Sequence, residues 1–92
     1  MMKNKIGFFD LNVGNVIKIR KGQSSISFVN NRNKKEAKYF YVNEILTIVN
    51  LTPPENSFFD GKVRMMTILH ENGLWDRIIK ESTFSKIFEV VI

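Results

Sequence analysis

Acid–base or metal chemistry in this chain would have to be built from one histidine and a few carboxylates. His70 stands beside Glu71, and with no second histidine and no cysteine there is neither a conventional metal pair nor a thiol nucleophile. Glu44, Glu71 and Asp76 are the carboxylates available to such a role, but no spacing sets two of them on one helix face, and only the fold can bring them together. Glu44, between Asn43 and Ile45, reads as an acceptor for backbone donors where the chain enters a strand. The five glycines stand singly, so there is no phosphate-cradling loop. We therefore expect no catalytic residue, no metal site and no cofactor, and read the chain as a non-enzyme.

Positive charge is the more informative chemistry. The formal net charge is +5, and it is concentrated: Lys18, Arg20, Lys21, Arg32, Lys34, Lys35 and Lys38 face a single acid, Glu36, between positions 18 and 38, a local charge of +6. The rest of the chain holds seven basic and eight acidic residues. Such asymmetry is the footprint expected for a polyanion or for an acidic protein surface. On nucleic acid the seven cations would contact phosphates, and Asn30, Asn31 and Asn33 would offer donors to base edges or sugars.

These residues must be positioned by a small scaffold. Ninety-two residues with 43% hydrophobic and 25% charged side chains, including eight Phe and one Trp, form one domain over 1–92. The first residues lack an apolar stretch of signal-peptide length, and no run approaches the ~20 apolar residues of a membrane span. Without cysteine, the expectation is a cytoplasmic protein with no membrane association.

The elements read mainly as strands. Lys5 to Phe9 is a short strand candidate; Val16 to Arg20 and Ile26 to Val29 alternate as half-buried strands and, joined by the turn-like Lys21-Gly22-Gln23-Ser24, predict one hairpin. Asn30 to Lys38 is a charged loop, read equally as a contact site or as a solvated hairpin tip. Lys38 to Val49 runs into Ile45, Leu46, Ile48 and Val49, which predict a central strand covered on both faces. Thr52-Pro53-Pro54 breaks it. Asp60-Gly61 and Asn72-Gly73 then bracket a strand from Lys62 to Glu71, with Phe58-Phe59 pairing on its start and Leu74 to Lys80 on its remainder. Met66 and Ile68 share one face of that strand, Met65 and Leu69 the other. Trp75 is assigned to the core in preference to a stacking role. Phe84, Ile87, Phe88 and Val91 carry helical spacing after Ser82 or Thr83 as N-cap, although Glu89 to Ile92 is rich in β-branched residues; we favour a short helix. The fold expected is α+β, mainly β: a small antiparallel sheet or partly open barrel of about six or seven strands with one short C-terminal helix.

The order of parts, from a basic strand through YFYVNEILTIV, VRMMTILHENG and LWDRIIK to KESTFSKIF, resembles the LytTR-type DNA-binding domain of bacterial response regulators. The matching positions are Glu44, Ile45 and Ile48 entering a core strand, Gly73 in the hairpin, and Ser82 with Phe84 and Phe88 in the last helix, over about Val16 to Phe88. The resemblance implies DNA reading by loops on a β scaffold. It departs after the helix, where family members continue into an Arg-His-Ser-like segment and a last strand that this sequence does not contain.

Two functions follow. The first is DNA or other nucleic-acid binding through the basic hairpin and loop of residues 18–38, for which neutralising about five phosphates would give a log K against log salt slope of about −4 to −5. The second is a protein-interaction module, such as a small inhibitor or adaptor from a phage or mobile element, docking on an acidic protein surface and open to self-association as a homo-oligomer through an exposed strand.

Overall fold

The computed structural model describes residues 6–58 and 61–91. Eight strands form there: β1 (Val16–Ile19), β2 (Ile26–Asn30), β3 (Ala37–Phe40), β4 (Ile45–Leu51), β5 (Glu55–Asn56), β6 (Lys62–His70), β7 (Gly73–Lys80) and β8 (Phe88–Val90), all but the short polar β5 carrying apolar side chains. One helical turn, α1 (Phe84–Ile87), precedes β8. All strand pairings are antiparallel, and the sheet runs β3-β2-β7-β6-β4-β1-β8 with β5 added on β6. It curls into a half-barrel, so the expected mainly β architecture with one short C-terminal helix is what the chain adopts.

Period-2 alternation sorts side chains to two faces. The concave face holds Ile17 and Ile19 of β1, Phe28 of β2, Phe40 of β3, Leu46 and Ile48 of β4, Met66 and Ile68 of β6, and Ile79 of β7, each at most 3% exposed. Curling lets distant strands meet across this interior: Phe28 packs edge-on against Phe40 at 5.2 Å between centroids and against Phe88 at 6.3 Å. Trp75 is buried in the same cluster, as expected.

The predicted β1–β2 hairpin does not form. β1 pairs with β4 and β8, while β2 pairs with β3 and β7. Both runs have the strand period, but each needs an aliphatic neighbour on its buried face, and the curled sheet supplies it from sequence-distant strands. The central strand also differs from expectation. Residues 38–49 divide at a turn, where Glu44 N–H donates to the Tyr41 carbonyl at 3.1 Å and Asn43 takes a left-handed φ of 80°. β3 becomes an edge strand, and Ile45 of β4 is 55% exposed on the convex face. The middle position belongs to β6, the longest strand, flanked by β4 and β7.

The β6–β7 meander forms as predicted, with Leu69 opposite Leu74 and Met66 opposite Arg77. Its turn is placed differently. The two connecting residues are Glu71 and Asn72, with Glu71 at a positive φ of 54°, and Gly73 already belongs to β7. Glycine is needed there for space: a Cβ on Gly73 would lie 2.8 Å from Trp75 Nε1. The partner at the start of β6 is β5, Glu55–Asn56, because the chain leaving Pro54 reaches β6 two residues before Ser57. The Phe58-Phe59 pairing and the Asp60-Gly61 turn fall partly outside the described residues.

Both readings of the C-terminal stretch are realised in succession. Phe84 to Ile87 forms one turn after Thr83, whose side chain makes no cap bond, and Phe88 to Val90 then pairs with β1. At the other end, Phe8–Asp10 is a 3-10 turn in place of the expected strand, since it turns Phe8 and Leu11 into the end of the core. The buried Arg64 fixes this plug, donating from Nη1 to the Phe8 carbonyl at 2.8 Å and from Nε to the Thr52 carbonyl at 2.8 Å.

Candidate binding surfaces

The seven basic residues are distributed over the sheet, not gathered into one patch. Lys18 lies on the convex face of β1, with Nζ 3.9 Å from Glu89 of the neighbouring β8. Arg20 donates from Nε to the Ser85 carbonyl at 2.6 Å. Lys21 is exposed in the turn that follows. Arg32, Lys34 and Lys35 sit in the loop at the opposite end of β2, ~15 Å away at about 3.3 Å per strand residue. Lys38 points inward from β3, with Nζ 3.2 Å from Glu71 Oε1 and over the rings of Phe40 and Trp75. An inward charge on an edge strand discourages edge-to-edge pairing.

Asp76 organises the loop. It lies on the convex face of β7, opposite Thr67, and is only 4% exposed. Its carboxylate accepts from Thr67 Oγ1 at 2.6 Å, from Asn31 Nδ2 at 3.0 Å and from Lys34 Nζ. Burial pushes the Asp76 carboxyl up, but the hydrogen bonds from Lys34, Thr67 and Asn31, with the Lys34 charge, outweigh it and hold the group below its ordinary value. The loop is further tied by Asn30 Oδ1, which accepts from the Arg32 and Asn33 amides at 2.8 and 3.0 Å. The loop is the tip of the β2–β3 hairpin, exposed throughout residues 31–36, and it is tied to the sheet through Asp76. Lys34 is consumed by the clamp.

Three of the seven cations thus face carboxylates from outside their segment, Glu89, Asp76 and Glu71. Among the described residues, the side chains of Lys21, Arg32 and Lys35 have no hydrogen-bond or ion-pair partner.

Glu44 and Glu71 do meet, around His70. Glu44 Oε2 is 3.1 Å from His70 Nε2, while its Oε1 accepts the Tyr41 amide at 2.8 Å, the backbone role expected for it. His70 packs edge-on against Phe40 at 4.9 Å, and Glu71 Oε1 is 3.5 Å from its buried Nδ1, which has no hydrogen-bond partner among the described residues. Asp76 lies on the other face of the sheet. The cluster locks two turns together, and the described residues contain no group of three or more metal-ligating side chains.

Sequence reasoning missed the convex face. Leu69 lies opposite Leu74, Thr47 opposite Leu69, and Met65 opposite Ile78, so these side chains form rows across β4, β6 and β7. Ile45 extends the Leu69 row along β4, and Tyr39 of β3 lies on the same face opposite Ser27 of β2, beyond the point where β2 leaves β7. Tyr39, Tyr41, Ile45, Leu69, Leu74 and Ile78 are 38–58% exposed. The available signal was the apolar character of both alternating sets in β6 and β7, which predicts apolar side chains on both faces.

A second concavity opens where β2 and β7 diverge. Their ladder ends at Val29 opposite Asp76; beyond it, the Ser27 carbonyl accepts Arg77 Nη1 at 2.8 Å. The half-buried guanidinium is held below its ordinary pKa by burial. A cavity of about 230 Å³ lies beside it, lined by Arg77 to Lys80, Thr83, Phe84, Ile87 and Phe88.

No family model, curated protein or solved structure matches this chain. No helix among the described residues is long and apolar enough to cross a membrane.

Proposed function

We propose that this protein is a protein-binding module whose convex sheet face docks on a partner carrying apolar side chains flanked by acids. The observation that carries the reading is the set of aliphatic residues Ile45, Leu69, Leu74 and Ile78, left exposed on the convex face of the sheet beside the clamped basic loop. Exposed aliphatic and tyrosine side chains collected on one sheet face are the mark of an interaction surface. Aliphatic side chains have no use against a phosphate backbone, whereas tyrosine at the edge of such a patch suits a protein interface. The net charge of +5, with Arg32 and Lys35 unpaired beside the patch, favours an acidic partner over a second copy of this chain.

The test is capture from nuclease-treated cell lysate with the wild type, Leu69→Ser/Leu74→Ser and Arg32→Glu/Lys35→Glu. Light scattering on each protein accompanies the capture. A partner that survives nuclease, is lost with the serine pair and weakens with charge reversal supports the reading. Capture indifferent to Leu69 and Leu74 sinks it, as does a concentration-dependent doubling of mass abolished by the serine pair, which would make a second copy the occupant.

The nucleic-acid reading keeps one specific support: Tyr39 offers an exposed ring on β3, the strand that follows the loop carrying Arg32 and Lys35, a combination suited to stacking with phosphate contact. With Lys21, Arg32 and Lys35 as the unpaired cations, the salt slope on duplex DNA is about −3, shallower than all seven positions together would produce.

A further inference from the structure

The seam between β2 and β7 has three features that none of the surfaces above uses. First, the ladder register leaves a gap. Asn31 N–H donates to the Leu74 carbonyl at 3.0 Å and Val29 lies opposite Asp76, so the next pair in sequence would be Ser27 with Ile78. That pair is not formed; the Ser27 carbonyl is taken by Arg77, and the Ile78 amide and carbonyl on this side of β7 have no strand partner among the described residues. Second, Arg77 spends one donor on Ser27, and its remaining N–H groups have no partner among the described residues. Third, the cavity beside it is walled by Ile79, Phe84, Ile87 and Phe88. Ile78 points its side chain to the convex face, so it borders this cavity with its backbone.

An anion receptor beside an apolar recess and an unpaired strand edge matches one chemistry. We propose that this seam binds the carboxyl-terminal residue of an extended peptide. The terminal carboxylate pairs with Arg77, the backbone of the peptide hydrogen-bonds to Ile78 as an added strand, and an apolar terminal side chain fills the recess. At about 230 Å³ the cavity is below the roughly 300–1,000 Å³ of sites for whole cofactors and suits one side chain. Strand addition supplies general affinity, and the recess and the arginine supply selectivity for a free apolar C-terminus. This site lies away from the Leu69–Leu74 patch and stands or falls independently of the convex-face reading.

The experiment is an amide-resolved NMR titration of the full chain with the probe acetyl-Gly-Ser-Ser-Leu as free acid, as C-terminal amide, and with 4-methylpentanoate alone. Saturable shifts at Arg77, Ile78, Ile79 and Phe88 are expected for the free acid, with a Kd of about 0.1–1 mM. The amide is expected to bind about tenfold or more weakly, because a charged hydrogen-bond pair is lost. Arg77→Met abolishes the response and Val13→Ser, at an exposed turn position outside both surfaces, leaves it unchanged. No saturable shift up to about 10 mM, equal binding of acid and amide, or 4-methylpentanoate binding as tightly as the peptide overturns the proposal. The acid-against-amide comparison on the wild-type chain decides the matter even if Arg77→Met does not fold.

Discussion

Replacing Asp76 by alanine removes the acceptor on which the β2–β3 loop closes. Three donors lose their partner, and they are not equivalent. The Thr67 hydroxyl, 2.6 Å away on a residue only 4% exposed, is left buried without an acceptor, which costs about 1–3 kcal/mol. Asn31 is exposed and turns its amide to water. Lys34 is 60% exposed at its side chain, so its ion pair is screened and adds under about 1 kcal/mol. The expected loss for Asp76→Ala is about 2–3 kcal/mol, a Tm drop of roughly 10–20 °C for a domain of this size. Lys34→Met, which leaves Asp76 with its Thr67 and Asn31 donors, should cost under about 1 kcal/mol. Urea denaturation measures both, and hydrogen exchange should show amides 31–36 losing protection in Asp76→Ala. The acid limb provides a second readout. The folded carboxyl lies below its ordinary value, so its contribution is complete above the unfolded value near 3.9 and disappears as pH falls through the folded one. The wild type should therefore lose its advantage over Asp76→Ala below about pH 4. A cost under about 0.5 kcal/mol for Asp76→Ala, or an equal cost for Lys34→Met, would refute the clamp.

Arg64→Met keeps the buried stem but removes the donors to the Phe8 and Thr52 carbonyls; a loss of about 2–4 kcal/mol is expected, with early exchange of the amides around the Phe8–Asp10 turn. Gly73→Ala forces a Cβ to within 2.8 Å of Trp75 Nε1, so the indole must shift. A cost of about 1–3 kcal/mol and a red-shifted tryptophan emission are expected, and an unchanged spectrum would exclude the packing described.

Local pattern was enough to reveal β1, β2, β6 and β7, though not the division of residues 38–49 into β3 and β4 or the turn at Phe8–Asp10. Ile17 and Ile19, or Ile26 and Phe28, declare a half-buried strand because alternation is a property of the backbone and needs no partner. The β6–β7 hairpin was legible for the same reason: two strands joined by a two-residue turn leave little choice of register. Glu44 as a backbone acceptor belongs to this class, since Tyr41 is three residues away.

Partner choice was not legible, because period-2 alternation is the same whichever strand lies alongside. Ile17 opposite Leu46 and Val90, and Val29 opposite Asp76, are pairings across long sequence separations, selected only when the whole sheet curls and buries one common face. The fate of the basic segment depended on those pairings. The +6 between positions 18 and 38 is a fact of the sequence, but Glu89, Asp76 and Glu71 come to it through space, and Coulomb attraction acts on distance in the fold, not separation along the chain. By itself, then, the sequence determined a small basic, mainly β protein in which β1, β2, β6 and β7 were already legible. The tertiary structure decided which charges stay unpaired, which apolar rows face outward, and where β7 is left with an open edge beside Arg77.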